Sequence, residues 1–361
     1  MNLPDYLVSP CCKGKLKEEE CRLICENCGN IFHIENDIPI LHKEIDDPWK
    51  RHQKESYDQF MRKFSLNPSL PQIVATDNWG LKIAGNLKVI ALRNLLDTLV
   101  EKKGTVLDVG CGRGEILNKI CAHYNVKGVG LDISIEAIKI ARFYNPLTNQ
   151  YWVGDAESLP FRDNSFDLVI SLDTLEHLSY PLTALEEMVR VLKPGGKLLV
   201  YTLNKKQFFT WHWFLRLITF RKLGVDKGHL DDHDPEKFLN ANEVKKSLKT
   251  KGMAKLKITY FDTFFTLAFN ELLYLILQYR GKGKSENSPS CVFKPQKPYL
   301  AVPPPPFKWK LLNRILNILY PLFYLIDTPF RLIGASNGFF LQGIKHQSHQ
   351  REKSVNKPLQ G

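Results

Sequence analysis

The sequence predicts an α/β fold in which a mostly parallel sheet carries helices on both faces. Between residues 105 and about 202, short apolar runs rich in β-branched residues alternate with amphipathic helical stretches, the order typical of such a sheet. The first run, Thr105 to Val109, breaks into alternating glycines and then into a helix-like stretch. This pattern predicts a buried strand, a tight turn and a helix start. At 361 residues and 43% hydrophobic content, the chain is long enough for one such domain and a smaller appendage.

Six strands are predicted from the apolar runs, and a helix from Pro181 to Leu192 is followed by a turn, Lys193 to Gly196. The predicted strands lie near residues 106–109, 127–131, 151–153, 167–171, 197–202 and 255–260. In sheets of this kind, ligands bind at the carboxyl ends of the strands.

The turn after the first strand carries glycine at positions 110, 112 and 114. Glycine tolerates positive φ and has no Cβ, so we expect a ligand to lie against backbone N–H groups at a helix N-terminus. Dinucleotide dehydrogenases use the spacing G-x-G-x-x-G, which this turn does not have. Asp108, two residues before the first glycine, would repel a pyrophosphate.

Two further aspartates end predicted strands: Asp132 follows Val126 to Leu131, and Asp155 follows Tyr151 to Gly154. Because parallel strands end at one edge of the sheet, these carboxylates and Asp108 are expected to share a pocket. A carboxylate at the second strand is suited to accept hydrogen bonds from ribose hydroxyls. The sequence therefore predicts a site for a cationic, ribose-bearing cofactor.

At these positions the chain resembles the class I S-adenosylmethionine-dependent methyltransferases with a type 11-like domain. The resemblance covers roughly residues 80 to 205 and rests on ordered motifs, which are Leu107-Asp-Val-Gly-Cys-Gly-Arg-Gly114, Asp132, Gly154-Asp-Ala-Glu-Ser-Leu-Pro-Phe161, Phe166 to Ser171 with Glu176-His177-Leu178, and Arg190-Val-Leu-Lys-Pro-Gly-Gly196. It implies a Rossmann-like seven-stranded sheet with S-adenosyl-L-methionine as the cofactor.

The resemblance also implies the roles of the residues in the pocket. Asp108 and the turn glycines would hold the methionine portion, Asp132 with the neighbouring Ile133 the ribose, and Asp155 with Ala156 the adenine edge. Leu172 would line the pocket after the fourth strand. A single aspartate at a strand end is also a common helix N-cap, but three together favour the cofactor role.

His177 is the candidate catalytic residue, because a histidine near the acceptor can remove a proton at neutral pH. A structural role for this histidine is the alternative. His229 and His233, in His229-Leu-Asp-Asp-His233, resemble a histidine-rich segment of quinone O-methyltransferases and are assigned to a substrate-side loop. A metal site is the other interpretation of this spacing, although such segments are more often polar loops.

Residues 1–44 are turn-rich and resemble the zinc-ribbon modules that precede some methyltransferase domains. Cys11, Cys12, Cys25 and Cys28 are the candidate metal ligands, since a fragment too small for its own core is held by tetrahedral thiolates. The first knuckle of such modules reads Cys-Pro-x-Cys, whereas this chain has Ser9 in the leading position. Cys11 is the nearest substitute and His33 a weaker one, and the alternative is a ribbon that binds metal poorly.

The expected domain organisation has five parts. These are the zinc-ribbon-like module (1–44), a helical linker that caps the cofactor pocket (45–104), the class I methyltransferase domain (105–262, with a substrate-side insertion at 205–245), an apolar helical extension (263–342) and a disordered tail (343–361). Helices that combine apolar faces with flanking Lys and Arg suit a lipid headgroup layer. Their alternative role is to bury one another or to cover an apolar substrate channel.

The net charge of +12 indicates an acidic partner, either an anionic membrane surface or nucleic acid. The N-terminus lacks the pattern of a signal peptide, so we expect a cytoplasmic protein, peripheral to the inner membrane face. The predicted function is O- or C-methylation of an apolar, small-molecule or lipid-linked acceptor. The alternatives are an RNA methyltransferase that uses the ribbon and basic surface, and a degenerate fold that only binds its partner.

Overall fold

The structure is a computed structural model that describes residues 3–65, 87–144, 149–220, 237–269, 272 and 307–346. In these residues, eleven strands form one continuous sheet. They are β1 (Leu16–Glu19), β2 (Arg22–Cys25), β3 (Ile31–Glu35), β4 (Ile38–Leu41), β5 (Thr105–Val109), β6 (Lys127–Asp132), β7 (Asn149–Gly154), β8 (Phe166–Leu172), β9 (Leu192–Leu203), β10 (Met253–Phe261) and β11 (Gly338–Lys345). Their order across the sheet is β1-β2-β3-β4-β7-β6-β5-β8-β9-β11-β10.

Nine α-helices are bounded in the described residues. They are α1 (Pro48–Ser65), α2 (Leu87–Leu99), α3 (Glu115–Tyr124), α4 (Ile135–Tyr144), α5 (Pro181–Val191), α6 (Trp211–Ile218), α7 (Ala241–Thr250), α8 (Phe307–Ile326) and α9 (Thr328–Leu332). Single turns of 3₁₀-helix span Ala156–Ser158 and Leu175–His177, and residues 264–269 are helical. Across the described part of the chain, every helix is too short or too polar to span a bilayer.

Seven strands, β7-β6-β5-β8-β9-β11-β10, form the sheet of the central domain. The first five are parallel to one another, and β11 is antiparallel to both of its neighbours. The crossover helices pack on the two faces because their apolar stripes need burial. This arrangement confirms the predicted α/β class with its seven-stranded sheet.

The seventh strand lies where the sequence predicted the apolar extension and the start of the tail. β11 pairs along one side with β9, from Gly338 opposite Leu203 to Ile344 opposite Lys197, and along the other side with β10. The expected C-terminal extension is therefore wrong as stated, because the helical residues form an insertion between β10 and β11. A short apolar run such as Phe339 to Leu341 has no periodicity that separates a buried strand from a buried helix.

The predicted turn at Lys193 to Gly196 belongs instead to β9, which begins at Leu192 directly after α5. The pairing with β8 changes register here, since Phe166 pairs with Leu192 and Leu168 already pairs with Lys197. The extra residues are accommodated as a bulge, so the regular ladder begins where the sequence placed the strand.

The N-terminal module extends the sheet of the central domain. β4 pairs in parallel with β7, with Ile40 opposite Val153 and Leu41 opposite Gly154. Leu7 forms an antiparallel bridge with Phe161 and is buried in the same core cluster. The module thus covers the β7 edge, which would otherwise present unpaired backbone groups.

Candidate functional site

The glycine turn joins β5 to α3 and has the left-handed backbone that the sequence predicted. The φ angles are +79° at Gly110, +52° at Gly112 and +73° at Gly114, which is the N-cap of α3. The backbone N–H groups of residues 110 and 111 donate to the Leu131 carbonyl at 2.8 and 3.0 Å, which fastens the turn to β6. The predicted geometry at the end of the first strand is therefore present.

The space beside each glycine is occupied by the protein itself. An ideal Cβ would lie 2.2 Å from Thr174 Oγ1 at Gly110, 2.5 Å from the Tyr151 hydroxyl at Gly114 and 3.0 Å from the Tyr57 hydroxyl at Gly112. The sequence interpretation assigned this space to a ligand. At positions 110 and 114 the reasons for glycine are positive φ and close packing.

Asp132 is brought against the glycine turn, as predicted. Its Oδ2 accepts the backbone N–H of Gly112 at 2.8 Å, and its Oδ1 accepts that of Ser134 at 2.9 Å. Burial raises the pKa of the carboxyl to about 6 despite these two donors. Each carboxylate oxygen has a second lone pair, so the group retains capacity for ribose hydroxyls. Ile133, which lies between Asp132 and Ser134 in the sequence, is half-buried.

Asp108 lies near the end of β5 and is buried. Burial, followed by the neighbouring charge of Asp132, raises the pKa of this carboxyl to about 8. Two acids that share a low-dielectric site repel each other when both are ionised. A cationic ligand would relieve that repulsion, so the pair fits the positively charged cofactor that the sequence predicted.

Asp155 follows β7 and caps the 3₁₀ turn that contains the buried Ala156, through a 2.9 Å hydrogen bond from the Glu157 N–H. Its other oxygen accepts Lys50 Nζ of α1 at 2.6 Å, and the same ammonium donates to Glu157 at 2.6 Å. Burial by itself would lower the pKa of Lys50. The two carboxylates outweigh the effect of burial, so the pKa lies above its ordinary value. The sequence interpretation missed Lys50, because nothing in a lysine of an amphipathic helix marks a partner 105 positions away.

Helix α1 lies over this edge of the sheet, and its role as a cap of the pocket stays a prediction. Asp58 accepts the hydroxyl of Ser134, and Lys54 donates to Asp58 at 2.8 Å. Ser134 Oγ in turn accepts the Ala137 N–H at 3.1 Å, at the start of α4. Leu172, the predicted lining residue, ends β8 and is half-buried.

His177 lies on the 3₁₀ turn after β8 and faces α1. Its Nδ1 lies 3.0 Å from Gln53 Oε1, and its carbonyl oxygen accepts Trp49 Nε1 at 3.0 Å. The preceding Glu176 is buried and accepts the Thr202 hydroxyl at 2.9 Å. Burial and the charge of Asp173 raise the pKa of Glu176 to about 8. Glu176 therefore belongs to the interior, whereas His177 is half-buried at the edge.

A further polar group at this edge was not predicted. Lys88 of α2 donates to both oxygens of Asp173 at 2.8 and 2.9 Å and lies 4.2 Å from the centroid of the Tyr201 ring. The Tyr201 hydroxyl donates to Asp262 at 2.6 Å. The sequence could have indicated this group through Asp173, because this aspartate directly follows β8 as Asp155 follows β7.

Three of the four predicted metal ligands come together in the N-terminal module. The sulfur atoms of Cys12, Cys25 and Cys28 lie within 4.8 Å of one another. Burial raises the pKa of the Cys25 thiol, but hydrogen bonds from the Cys28 backbone and Ser9 outweigh it and lower the pKa to about 6. Cys11 is not part of this cluster in the described structure, and its assignment as the fourth ligand stays a prediction. Ser9 is buried, and its side chain forms a hydrogen bond with Cys25.

The predicted substrate-side residues His229 and His233 lie outside the described residues. Their assignment to a substrate-side loop stays a prediction.

Comparisons of the sequence with protein families identify two regions. Residues 107–200 match the family described as a methyltransferase domain, and residues 3–37 match the family described as Trm112p-like protein. Among individual proteins, the chain is 31% identical over 168 residues to the mitochondrial ubiquinone biosynthesis O-methyltransferase of Candida albicans, covering 44% of this chain and 49% of that protein. It is 38% identical over 113 residues to the 2-methyl-6-phytyl-1,4-hydroquinone methyltransferase of Synechocystis sp., covering 31% of this chain and 35% of that protein.

The chain therefore spans about half the length, or less, of these relatives. Among solved structures, it resembles the phosphoethanolamine N-methyltransferase 2 of Haemonchus contortus in complex with S-adenosyl-L-methionine, with a TM-score of 0.50 and 18% identity over 86% of this chain and 62% of that one. That likeness concerns the fold. Together, the matches confirm the predicted kind of domain, and the N-terminal match agrees with a zinc-ribbon-like module.

Proposed function

We propose, on the premise that residues 107–200 belong to a methyltransferase domain, that this protein transfers the methyl group of S-adenosylmethionine to oxygen or carbon of an apolar or lipid-linked acceptor. The observation that supports methyl transfer is the acidic pocket of Asp108, Asp132 and Asp155 around the glycine turn. Relatives named for ubiquinone biosynthesis and for a phytyl hydroquinone support an apolar acceptor.

The residues of the pocket act mainly by binding and orientation. The cofactor supplies an electrophilic methyl group on a sulfonium, whose positive charge disappears during transfer, so no acid is needed for the leaving group. We assign Asp108 and the turn to the methionine portion, Asp132 to the ribose, and Asp155 with Ala156 to the adenine edge. Catalysis then rests on holding the acceptor atom close to the methyl carbon and in line with it.

We assign the removal of the acceptor proton to His177. The 3.0 Å contact of Nδ1 with Gln53 Oε1 favours the neutral tautomer with the proton on Nδ1, which places the lone pair on Nε2. Gln53 acts as a positioning residue, because it orients the ring without touching the acceptor. Such a base contributes typically 10²- to 10⁴-fold to the rate.

The function is tested by incubating the purified protein with methyl-tritiated S-adenosylmethionine and host extract, followed by separation of lipid, RNA, protein and small polar fractions. We expect label in the lipid fraction. Label in RNA would replace this proposal with the alternative in which the basic surface binds phosphates, and no labelled fraction would contradict methyl transfer itself.

Two variants connect the label to the site. Asp132→Asn is expected to weaken binding of S-adenosylhomocysteine in calorimetry by roughly 10- to 100-fold, since hydrogen bonds to charged groups are worth about 1.5–3 kcal/mol. The exposed Asp97→Asn is the matched control. His177→Gln should lower kcat and leave that binding unchanged, with His346→Gln as the control. Unchanged kcat in His177→Gln would leave this residue a structural role only.

A further inference from the structure

The insertion between β10 and β11 exposes a row of large apolar side chains. On α8, Ile318 is 72% exposed and Leu325 is 69% exposed, with Leu322 between them on the same face. At the last residue of α9 and just after it, Leu332 and Ile333 are exposed to 82% and 66%. Scattered single apolar residues are normal on protein surfaces, whereas a contiguous row of them indicates an interaction site.

The opposite side of α8 is held against the domain by aromatic contacts. The ring of Tyr320 lies 6.4 Å from that of Phe261 at the end of β10, and the ring of Phe323 lies 4.6 Å from that of Phe269. Residues three or four positions apart share a helix face, so these anchors set the rotation of α8. The outward residues are consequently not members of the core.

Helix α6 belongs to the same surface. Phe264 contacts Trp211 of α6 at a centroid distance of 5.6 Å and Phe330 of α9 at 5.4 Å. Along and after α6, Leu217, Ile218 and Phe220 are exposed, and Phe208 and Phe209 are exposed just before it. We call the exposed apolar residues of α6, α8 and α9 and of their flanking turns the insertion face.

In the described segments of the insertion face, the exposed charged residues are basic. In the described segments 205–220, 262–269 and 307–333, the acidic residues are Asp262 and Asp327. Both are buried and accept hydrogen bonds, Asp262 from Tyr201 and Asp327 from the backbone of residues 265 and 266. Lys205 and Lys206 are exposed beside the apolar residues, and the sequence of α8 contains Lys308, Lys310 and Arg314 without an acid. The face therefore complements a negatively charged partner.

The topology places the insertion face at the pocket edge of the sheet. α6 follows the carboxyl end of β9, and the helical residues 264–269 follow the carboxyl end of β10. α9 leads into β11, whose first residue, Gly338, lies opposite Leu203 at that same edge. Asp108, Asp132 and Asp155 also lie at this edge, since Asp108 is the last residue but one of β5, Asp132 ends β6 and Asp155 directly follows β7.

We propose that the insertion face docks on an anionic lipid layer, with α8 and α6 lying in the headgroup region. Apolar helices with Lys and Arg and no exposed acid bind such layers by burying apolar area and attracting anionic lipids. A nucleic-acid surface would have polar residues between its charges instead of aliphatic rows. Docking does not depend on the proposed reaction, but it would let a lipid-borne acceptor approach the pocket from the layer itself.

The test is flotation of the full chain with vesicles of phosphatidylcholine, with and without phosphatidylglycerol, in the absence of cofactor. We expect partitioning onto the anionic vesicles that weakens as salt is raised. The double variant Ile318→Glu with Leu325→Glu should bind at least about tenfold more weakly, because it removes two apolar contacts and adds negative charge. The matched control is Ile31→Glu with Leu182→Glu, two exposed apolar residues on other surfaces, and it should bind like the parent.

Several outcomes would overturn the proposal. They are equal partitioning on neutral and anionic vesicles, equal loss in both double variants, preferential binding to RNA, and a concentration-dependent dimer that only the Ile318/Leu325 variant dissociates. The last would make the face a contact between copies. Calorimetric binding of S-adenosylhomocysteine to the same variants separates this test from that of the proposed function, since docking can fail while the pocket stays intact.

Discussion

The side chain of Thr174 fills the space in which residue 110 would otherwise carry a Cβ atom. An ideal Cβ on Gly110 would lie only 2.2 Å from Thr174 Oγ1. Thr174 is held in place because its hydroxyl contacts the carbonyls of Val109 and Leu172 at 3.3 and 3.2 Å. The turn after β5 and the loop after β8 therefore pack tightly against each other. A change in the position of one is expected to shift the other.

Gly110→Ala is expected to destabilise the protein more than Gly252→Ala. The two glycines have similar φ angles of +79° and +83°, but a Cβ on Gly252 would meet nothing within 4 Å. Both variants lose about 1–2 kcal/mol from the left-handed backbone, and the clash at position 110 adds about 1–3 kcal/mol. Urea unfolding measures the difference, and equal losses would show that the loop after β8 yields freely.

Asp108→Asn is expected to make the protein more resistant to alkaline conditions. Burial raises the pKa of Asp108 to about 8, above the value of about 3.9 expected in the unfolded chain. Between these values the folded state holds the extra proton, so stability is full at low pH and falls as the pH rises towards 8. Asparagine resembles the protonated acid and does not ionise, so the variant should not lose stability as the pH rises.

The measurement is the free energy of unfolding of parent and Asp108→Asn at pH 5 and pH 8.5. The advantage of the variant should be larger at pH 8.5 than at pH 5, and it should grow by up to about 1.4 kcal/mol for each pH unit between pH 5 and the folded-state pKa of about 8. The exposed Asp97→Asn should follow the parent at both pH values. A difference between parent and variant that does not change with pH would contradict the buried acid.

Leu7→Ala is expected to lower the melting temperature of the whole described domain, not only of the N-terminal module. Leu7 is buried, and it packs in one cluster with Phe161 and with strands of the central sheet. Loss of a buried leucine costs about 2–5 kcal/mol, whereas Leu182→Ala on the exposed side of α5 should cost at most about 0.5 kcal/mol. Calorimetry should give one shifted transition, and a separate early transition of the module would disprove the shared core.

Ser9→Cys is expected to strengthen zinc binding at Cys12, Cys25 and Cys28. Structural zinc takes four nitrogen or sulfur ligands in a tetrahedron, and Ser9 is buried next to the Cys25 sulfur. Chelator competition should show at least about tenfold tighter binding, because thiolate is the better zinc ligand. Cys11→Ser is the control and should change nothing, and a loss of zinc in that variant would restore Cys11 as a ligand.

Local patterns in the sequence predicted the elements whose geometry depends on neighbouring residues. The positive φ angles of the glycine turn follow from the residue types themselves. The end of β5 follows from the glycines that interrupt its apolar run, and the ends of β6 and β7 follow from apolar runs that stop at aspartate. Since parallel strands end at one edge, the meeting of Asp132 with the glycine turn could also be predicted. For the same reason the sequence placed Asp108 at that edge, whereas its burial is a result of the structure.

Only the tertiary structure decided the contacts between distant parts of the chain. Lys50 reaches Asp155, β11 enters the sheet between β9 and β10, and Cys11 stays outside the thiol cluster. A local pattern specifies the backbone conformation and the face that a segment buries, but it does not specify which distant segment covers that face. That choice depends on the packing of the whole chain. The hydrophobic effect stabilises whichever contacts remove the most apolar area from water, regardless of how far apart the segments are in the sequence.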